Sequence, residues 1–151
     1  MAAEPFNGSK LAILVGDLIV TILRDDKPDI PWPGMWDLPG GGREGDETPE
    51  TCVLRETREE LGLILTEDAL IWKTSSDEGG DFVWFFVCEQ PDFDVRSVVF
   101  GDEGQRWNLV PLSWFLDDPS VIPRHKSRLA AYLGDRHRVP GRVARGQPLA
   151  T

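Results

Sequence analysis

Residues 41–63 read GGREGDETPETCVLRETREELGL. Thr48 followed by Pro49 is typical of a helix N-terminus, because a threonine side chain can cap a free backbone N–H and proline fits the first helical position. Gly62 favours the end of the helix, since glycine readily adopts the left-handed conformation found there. The stretch therefore predicts a glycine-rich turn followed by a helix from Pro49 to Leu61.

Three carboxylates share one face of this predicted helix. Glu56, Glu59 and Glu60 are spaced i, i+3 and i+4, so their side chains are neighbours that repel one another by a few tenths of a kcal/mol per pair. Clustered carboxylates are the ligands that Mg²⁺ prefers, and the nearby glycines let a ligand approach the backbone closely. By spacing alone, however, an ordinary acidic helix surface explains the pattern equally well.

Taken together, these residues resemble the Nudix box, G-x5-E-x7-R-E-U-x-E-E-x-G-U, where U is a bulky aliphatic residue. Every invariant position matches, and the one departure is Thr57 at the first U position. The chain thus resembles MutT-like Nudix hydrolases, and a looser resemblance extends over residues 10–133. It implies an α/β/α sandwich with a mixed sheet between helices, and metal-dependent hydrolysis of a nucleoside diphosphate linked to another group.

The resemblance also implies roles for individual residues of the box. Glu56, Glu59 and Glu60 would bind Mg²⁺ or Mn²⁺, with the carbonyl of Gly40 as a further ligand. Arg55 would orient these carboxylates through charge-assisted hydrogen bonds, and Glu47 would help to fix the loop. Glu56 is the favoured general base.

A second match lies later in the chain. Gly101-Asp102-Glu103-Gly104-Gln105, followed by Trp107, resembles a stretch of MutT-type enzymes in which the acidic residue is a further metal ligand. Glu103 is therefore both a candidate ligand and the second candidate for the general base. A polar loop before a strand is the alternative.

The substrate is inferred by elimination among the Nudix subfamilies. The proline that follows the box in ADP-ribose pyrophosphatases is missing from residues 77–80, and the single tyrosine, Tyr132, is far from the position typical of diadenosine polyphosphate hydrolases. A (d)NTP cleaved to (d)NMP and pyrophosphate fits best. ADP-ribose, a dinucleoside polyphosphate or a nucleotide sugar stays open, as does a catalytically silent nucleotide-sensing module. Such modules generally lose box residues that this chain retains.

Four residues outside the box are candidates for binding the nucleotide. Trp36 and Phe85 could stack on the base, with core packing as the alternative for both. Arg24 could bind a phosphate or a base edge, or be solvated at a strand end. His125 stands where MutT-type enzymes carry a base-reading asparagine, and a surface histidine is its alternative.

The remaining pattern predicts strands around two main helices. Leu11–Val15 and Leu18–Leu23 flank Gly16-Asp17, which is typical of a two-residue hairpin with a type II′ turn. Arg124–Leu133 is predicted to form a C-terminal helix. We expect a Nudix domain over residues 1–133 and a C-terminal extension over residues 134–151 that contains arginine, proline and glycine.

Composition limits the class of protein. A length of 151 residues suits one domain, and 16 basic against 26 acidic residues give a net charge of −10. This balance argues against binding along a nucleic-acid polymer but not against a small nucleotide whose metal ion reverses the local field. Cys52 and Cys88 cannot form a disulfide framework, and neither a signal peptide nor a membrane segment is recognisable, so we expect a cytoplasmic protein. A homodimer is left open.

Overall fold

The computed structural model of this chain describes residues 5–138, in which seven strands form one mixed sheet. The strands are β1 Gly8–Val15, β2 Leu18–Leu23, β3 Trp36–Asp37, β4 Gly40–Gly42, β5 Trp72–Glu78, β6 Asp81–Glu89 and β7 Arg106–Pro111. Their order is β3-β2-β1-β6-β5, with β4 paired to β1 and β7 paired to β2. β1 and β6 are parallel, and the other pairs are antiparallel.

The β1–β2 hairpin has the predicted turn. Val15 pairs with Leu18, which leaves Gly16 and Asp17 as the two central residues. Gly16 has a φ of 60°, whereas Asp17 is not among the residues with positive φ. A positive φ at the first central position alone is the type II′ pattern, so the prediction is confirmed.

The helices are α1 Pro49–Leu61, α2 Leu112–Asp117 and α3 Pro123–Arg138. The predicted ends of α1 are confirmed. The side chain of Thr48 accepts a hydrogen bond from the N–H of Thr51, and Gly62 has a φ of 69° while its N–H bonds to the carbonyl of Arg58. Within residues 5–138, no helix combines the length and apolar character needed to cross a membrane.

The helices cover both faces of the sheet. On one face, Val53 and Leu61 of α1 pack with Leu11, Ile13 and Phe86. On the other face, a second cluster contains residues of α2 and α3 together with the alternate residues of β1 and β6, including Phe115, Leu129, Ala12 and Phe85. The expected α/β/α sandwich with a mixed sheet is therefore confirmed.

Thr57 of α1, the one departure from the box pattern, is fully buried. Its hydroxyl donates a hydrogen bond of 2.7 Å to the carbonyl of Val53, one turn earlier. The polar group is therefore satisfied within the helix although the residue is buried.

Two predicted features differ from the structure. Gly40–Gly42 forms β4, which pairs with β1, instead of a free turn. A Cβ at Gly40 would lie 2.1 Å from the carbonyl oxygen of Ser9, so the close approach of the two strands requires glycine. Secondly, α3 continues to Arg138, beyond the predicted end of the C-terminal helix at Leu133.

Long-range contacts explain why α3 extends beyond residue 133. The indole N–H of Trp72 donates to Asp135 at 3.0 Å, and Arg136 forms an ion pair of 2.8 Å with Glu89. These contacts anchor the last turns of α3 to β5 and β6. The remainder of the predicted extension, residues 139–151, lies outside the described residues, and the division into two parts stays a prediction.

Candidate active site

Arg55 of α1 connects the glycine strand to the carboxylates of the box. Its Nε and Nη2 donate to the two carboxylate oxygens of Glu47 at 2.6 and 3.1 Å. Nη2 also donates to the carbonyl of Gly42 at 2.9 Å, and Nη1 donates to Glu56 and Glu59 at 3.1 Å each. The guanidinium thus fixes the loop before α1 and holds two of the three box carboxylates that are predicted to bind a metal.

The contacts of Arg55 also set the charges around it. Hydrogen bonds from Arg55 hold the pKa of Glu47 below its ordinary value of 4.5. The same bonds with Glu47 raise the pKa of Arg55 above its ordinary range. Both groups therefore stay charged at neutral pH, as the orienting and loop-fixing roles of Arg55 and Glu47 require.

The negative charges of Glu56 and Glu60 are less well compensated by neighbouring groups than that of Glu47. A Cβ at Gly41 would lie 2.7 Å from the carboxyl carbon of Glu56, so this carboxylate packs directly on the glycine strand. Burial raises the pKa of Glu56 above its ordinary value. Glu60 accepts a hydrogen bond of 2.8 Å from the N–H of Gly40, and burial raises its pKa to about 7.

The donors suit a hard divalent cation, although they are not assembled into a cage. In residues 5–138, no three His, Cys, Asp or Glu side chains converge as a metal-binding group. Glu56 and Glu59 are turned towards Arg55, whereas Glu60 is turned towards Gly40. Three carboxylates on one helix face, two of them with pKa values raised by burial, fit Mg²⁺ or Mn²⁺, which would supply the missing positive charge. Glu59 is half exposed and has room to turn.

The remaining predicted ligands lie near this face without joining it. The Gly40 carbonyl accepts a hydrogen bond of 3.4 Å from the ammonium group of Lys10. Glu103 is exposed and forms no hydrogen bond or ion pair with another described residue. Its loop nevertheless contacts the end of α1, because the N–H of Gly101 donates to the Glu60 carbonyl at 2.9 Å. The structure brings the loop, but not the Glu103 side chain, to the carboxylates.

A buried cluster centred on Asp37 was missed by the sequence analysis. Asp37 accepts hydrogen bonds from Lys10 and Arg24 at 3.0 Å each, and from the N–H of Leu38 at 2.7 Å. Nε2 of His125 lies 2.7 Å from the same carboxylate. Burial opposes ionisation, but Lys10 and His125 hold the pKa of Asp37 well below its ordinary value of 3.8. The one sequence signal was an acidic residue between large apolar residues.

His125 is buried, which contradicts its alternative interpretation as a surface histidine. It is 4% exposed, and burial lowers its pKa, so the ring is neutral at neutral pH. Since ionised Asp37 can only accept, Nε2 carries the proton and Nδ1 is an acceptor. Nδ1 has no hydrogen-bond partner among the described residues.

One cavity of about 520 Å³ joins the glycine strand to the Asp37 cluster. Gly41 and Gly42 line one part of it. Lys10, Arg24 and His125 line it as well, together with Arg124 and Arg128 from α3. The structure therefore brings Arg24 and His125 to the same cavity as the start of the box. The wall has mixed charge, because its four cationic side chains stand beside the carboxylates of Asp37, Glu78 and Asp81.

The two predicted stacking residues are both covered. Trp36 is 8% exposed, packs edge-on against Trp114 and does not belong to the cavity wall. Phe85 belongs to the wall but is 1% exposed, between Trp72 and His125. Their position corrects the prediction: both rings are core residues, because β3 and β6 direct them towards α2 and α3.

Comparison with known proteins agrees with this geometry. A family model of the NUDIX domain matches residues 12–132. The nucleoside triphosphatase NudI of Salmonella arizonae is 34% identical over 116 residues, which cover 68% of this chain and 80% of that protein. An 8-oxo-dGTP diphosphatase of Proteus vulgaris is 43% identical over 44 residues, 29% of this chain and 39% of that protein.

A solved structure supports the fold over a longer range. The crystal structure of a MutT protein from Methanosarcina mazei Go1 superposes with a TM-score of 0.69 at 20% identity, covering 91% of this chain and 98% of that one. The likeness extends across both faces of the sheet and beyond the box itself. With the family model matching most of its length, the chain belongs to the Nudix hydrolase family.

Proposed function

We propose that this protein is a Mg²⁺-dependent pyrophosphohydrolase, with Mn²⁺ as an alternative metal, that cleaves a (d)NTP to (d)NMP and pyrophosphate. The observation that carries the proposal is the continuous cavity, which begins at the glycine strand beside Glu56 and continues to the cationic side chains of the Asp37 cluster and α3. Its volume suits a small ligand of nucleotide size. The name of the NudI relative supports a triphosphate substrate.

Different residues of the chain have different roles in the proposed reaction. Glu56, Glu59 and Glu60 would hold the metal ion, which would supply positive charge to neutralise the phosphates and lower the pKa of water. Glu56 would accept a proton from the water that attacks phosphorus, since its carboxylate lies against Gly41 in the cavity wall. Arg55 keeps Glu56 and Glu59 oriented, and Arg24 and Lys10 present positive charge to the phosphates. Glu103 is retained as the second candidate base and as a further ligand.

Location and assembly remain part of the proposal. Cys52 and Cys88 are both free and buried, as is common in reducing compartments, and we therefore propose the cytoplasm. The substrate is a small nucleotide rather than a polymer. A homodimer is the proposed alternative to a monomer, and light scattering at several concentrations distinguishes the two.

A substrate panel tests the reaction. Purified protein with Mg²⁺ or Mn²⁺ is given canonical dNTPs, 8-oxo-dGTP, ADP-ribose and diadenosine polyphosphates, with the nucleotide products, orthophosphate and pyrophosphate each detected separately. We expect pyrophosphate from triphosphates and no orthophosphate, and no product after chelation of the metal. Turnover of ADP-ribose without turnover of any triphosphate would contradict the proposed substrate. No turnover at all would favour the nucleotide-sensing module.

Two neighbouring glycines provide a matched test of the role of Glu56. Gly41→Ala should lower kcat by about tenfold to a hundredfold, as expected when a supporting contact of a metal site is lost, because the new Cβ would lie 2.7 Å from the Glu56 carboxyl carbon. Gly42→Ala should behave like the wild type, since its Cβ meets nothing closer than the Asn7 carbonyl at 3.8 Å. Equal kcat values for the two variants would show that Glu56 does not act from its position against Gly41.

A further inference from the structure

Trp32 has a backbone conformation that is costly for its residue type. It is the one non-glycine residue with a positive φ, 52°, within residues 5–138. It is also 36% exposed, and it is the sole aromatic among the exposed large apolar side chains of the part that the structure describes. Large residues rarely adopt positive φ, and such strain persists where the surroundings impose it, often at ligand sites.

The surroundings of Trp32 do impose this conformation. Nε of Arg24 donates to the carbonyl of Pro31 at 2.9 Å, directly before Trp32, while the same guanidinium is bound to buried Asp37. The N–H of Met35 then bonds to the Trp32 carbonyl at 3.3 Å. The Asp37 cluster therefore fixes the turn that carries the indole.

The indole is also held from the side of α3. The guanidinium of Arg124 lies 5.6 Å from the centre of the Trp32 ring, within the range of a cation–π contact. Arg124 itself is ion-paired with Glu78, a side chain that is 7% exposed. Trp32 is thus positioned by two separate parts of the chain although it is not buried by either.

Trp32 lines the same cavity as Gly41 and Gly42. The other aromatic residues of that wall are less exposed than Trp32. Phe85 is buried between Trp72 and His125, and Trp84 stacks on Phe86 while Lys73 lies over its ring at 5.5 Å. Trp32 therefore offers the largest accessible aromatic surface to a ligand in this cavity.

We propose that Trp32 stacks on the nucleobase of the substrate and thereby favours purine nucleotides over pyrimidine nucleotides and base-free polyphosphates. The inference rests on the proposed function, because it requires that the cavity take a nucleotide with its phosphates at the glycine strand. Stacking on an indole depends on the area of the flat base, so a two-ring base gains more than a one-ring base. Packing within the protein does not explain why Trp32 keeps a strained backbone conformation, whereas binding of a base by its indole does.

Two substitutions at Trp32 separate stacking from strain. Leucine keeps an apolar side chain and a Cβ, and hence the strained φ, but removes the aromatic face. Phenylalanine keeps an aromatic face. The matched control is Trp107→Leu, the same change on β7, where the ring packs against Phe93 outside the cavity wall. Circular dichroism verifies that each variant is folded.

Titration calorimetry with GMP, CMP and inorganic tripolyphosphate measures binding without turnover, and steady-state kinetics with GTP gives KM and kcat. Trp32→Leu should weaken GMP binding and raise KM by about tenfold, with smaller effects on CMP, none on tripolyphosphate and little change in kcat. Trp32→Phe should restore most of the affinity, and Trp107→Leu should match the wild type. Unchanged GMP affinity in Trp32→Leu, or an equal loss for tripolyphosphate, would overturn the role of Trp32. Absence of nucleotide hydrolysis by the wild type would instead overturn the proposed function.

Discussion

Replacing Glu60 with glutamine is expected to lower turnover by about a hundredfold or more while leaving the protein folded. Loss of a residue that merely supports a metal ligand costs about tenfold to a hundredfold, so loss of a ligand itself should cost at least as much. Glutamine keeps an oxygen that can accept the hydrogen bond from Gly40. It lacks the negative charge that binds the metal. Steady-state kinetics across a range of Mg²⁺ concentrations measures the loss.

The same substitution should stabilise the metal-free protein, which separates a metal ligand from a structural residue. The pKa of Glu60 in the fold is about 7, above its ordinary value of 4.5. The stability contributed by its bound proton is therefore present below pH 4.5 and is lost as the pH rises through 7. In chelator, the Tm of Glu60→Gln should exceed that of the wild type increasingly from about pH 5 to about pH 8.

Adding Mg²⁺ should reverse this order by raising the Tm of the wild type alone, since a ligand stabilises the state that binds it. The control is Glu67→Gln, which neutralises an exposed glutamate of the 3₁₀ turn Glu67–Ala69. Its activity and Tm should follow those of the wild type. Wild-type turnover in Glu60→Gln, or an equal rise in Tm with Mg²⁺ in both proteins, would refute the assignment of Glu60 as a ligand.

The second large effect is expected on stability, from Asp37→Asn. The substitution preserves shape but removes the negative charge from a position that is 4% exposed. Lys10 and Arg24 would then lie partly buried without their shared counter-charge. Breaking a buried ion pair in this way costs about 3–5 kcal/mol, and urea unfolding measures it as a lower midpoint.

A surface aspartate serves as the control for this change. Asp94 pairs with Arg96, but the two side chains are 50% and 88% exposed, so Asp94→Asn should leave the urea midpoint close to that of the wild type. Asp37→Asn should also displace the Trp32 turn through Arg24 and weaken GMP binding. Similar unfolding midpoints for the two variants would show that the Asp37 cluster does not hold the fold together.

The predictions that succeeded depend on neighbours along the chain. The caps of α1, the type II′ hairpin and the shared face of Glu56, Glu59 and Glu60 all follow from residues within one or two turns of one another. The predictions for Trp36 and Phe85 failed because side-chain exposure depends on which face of the sheet a helix covers. Glycine content suggested a turn at residues 40–42, where pairing with β1 makes a strand.

The sequence by itself determined the carboxylate helix and its limits, since the box fixes both residue type and spacing, and it is the source of the proposal that Glu56, Glu59 and Glu60 bind a metal. Tertiary structure alone decided how the carboxylates are shared between Arg55 and Gly40, and which residues line the cavity. The Asp37 cluster joins Lys10 and His125, which lie 27 and 88 residues from Asp37 in the chain. No local pattern encodes such contacts, because they form only when the strands and α3 have packed together.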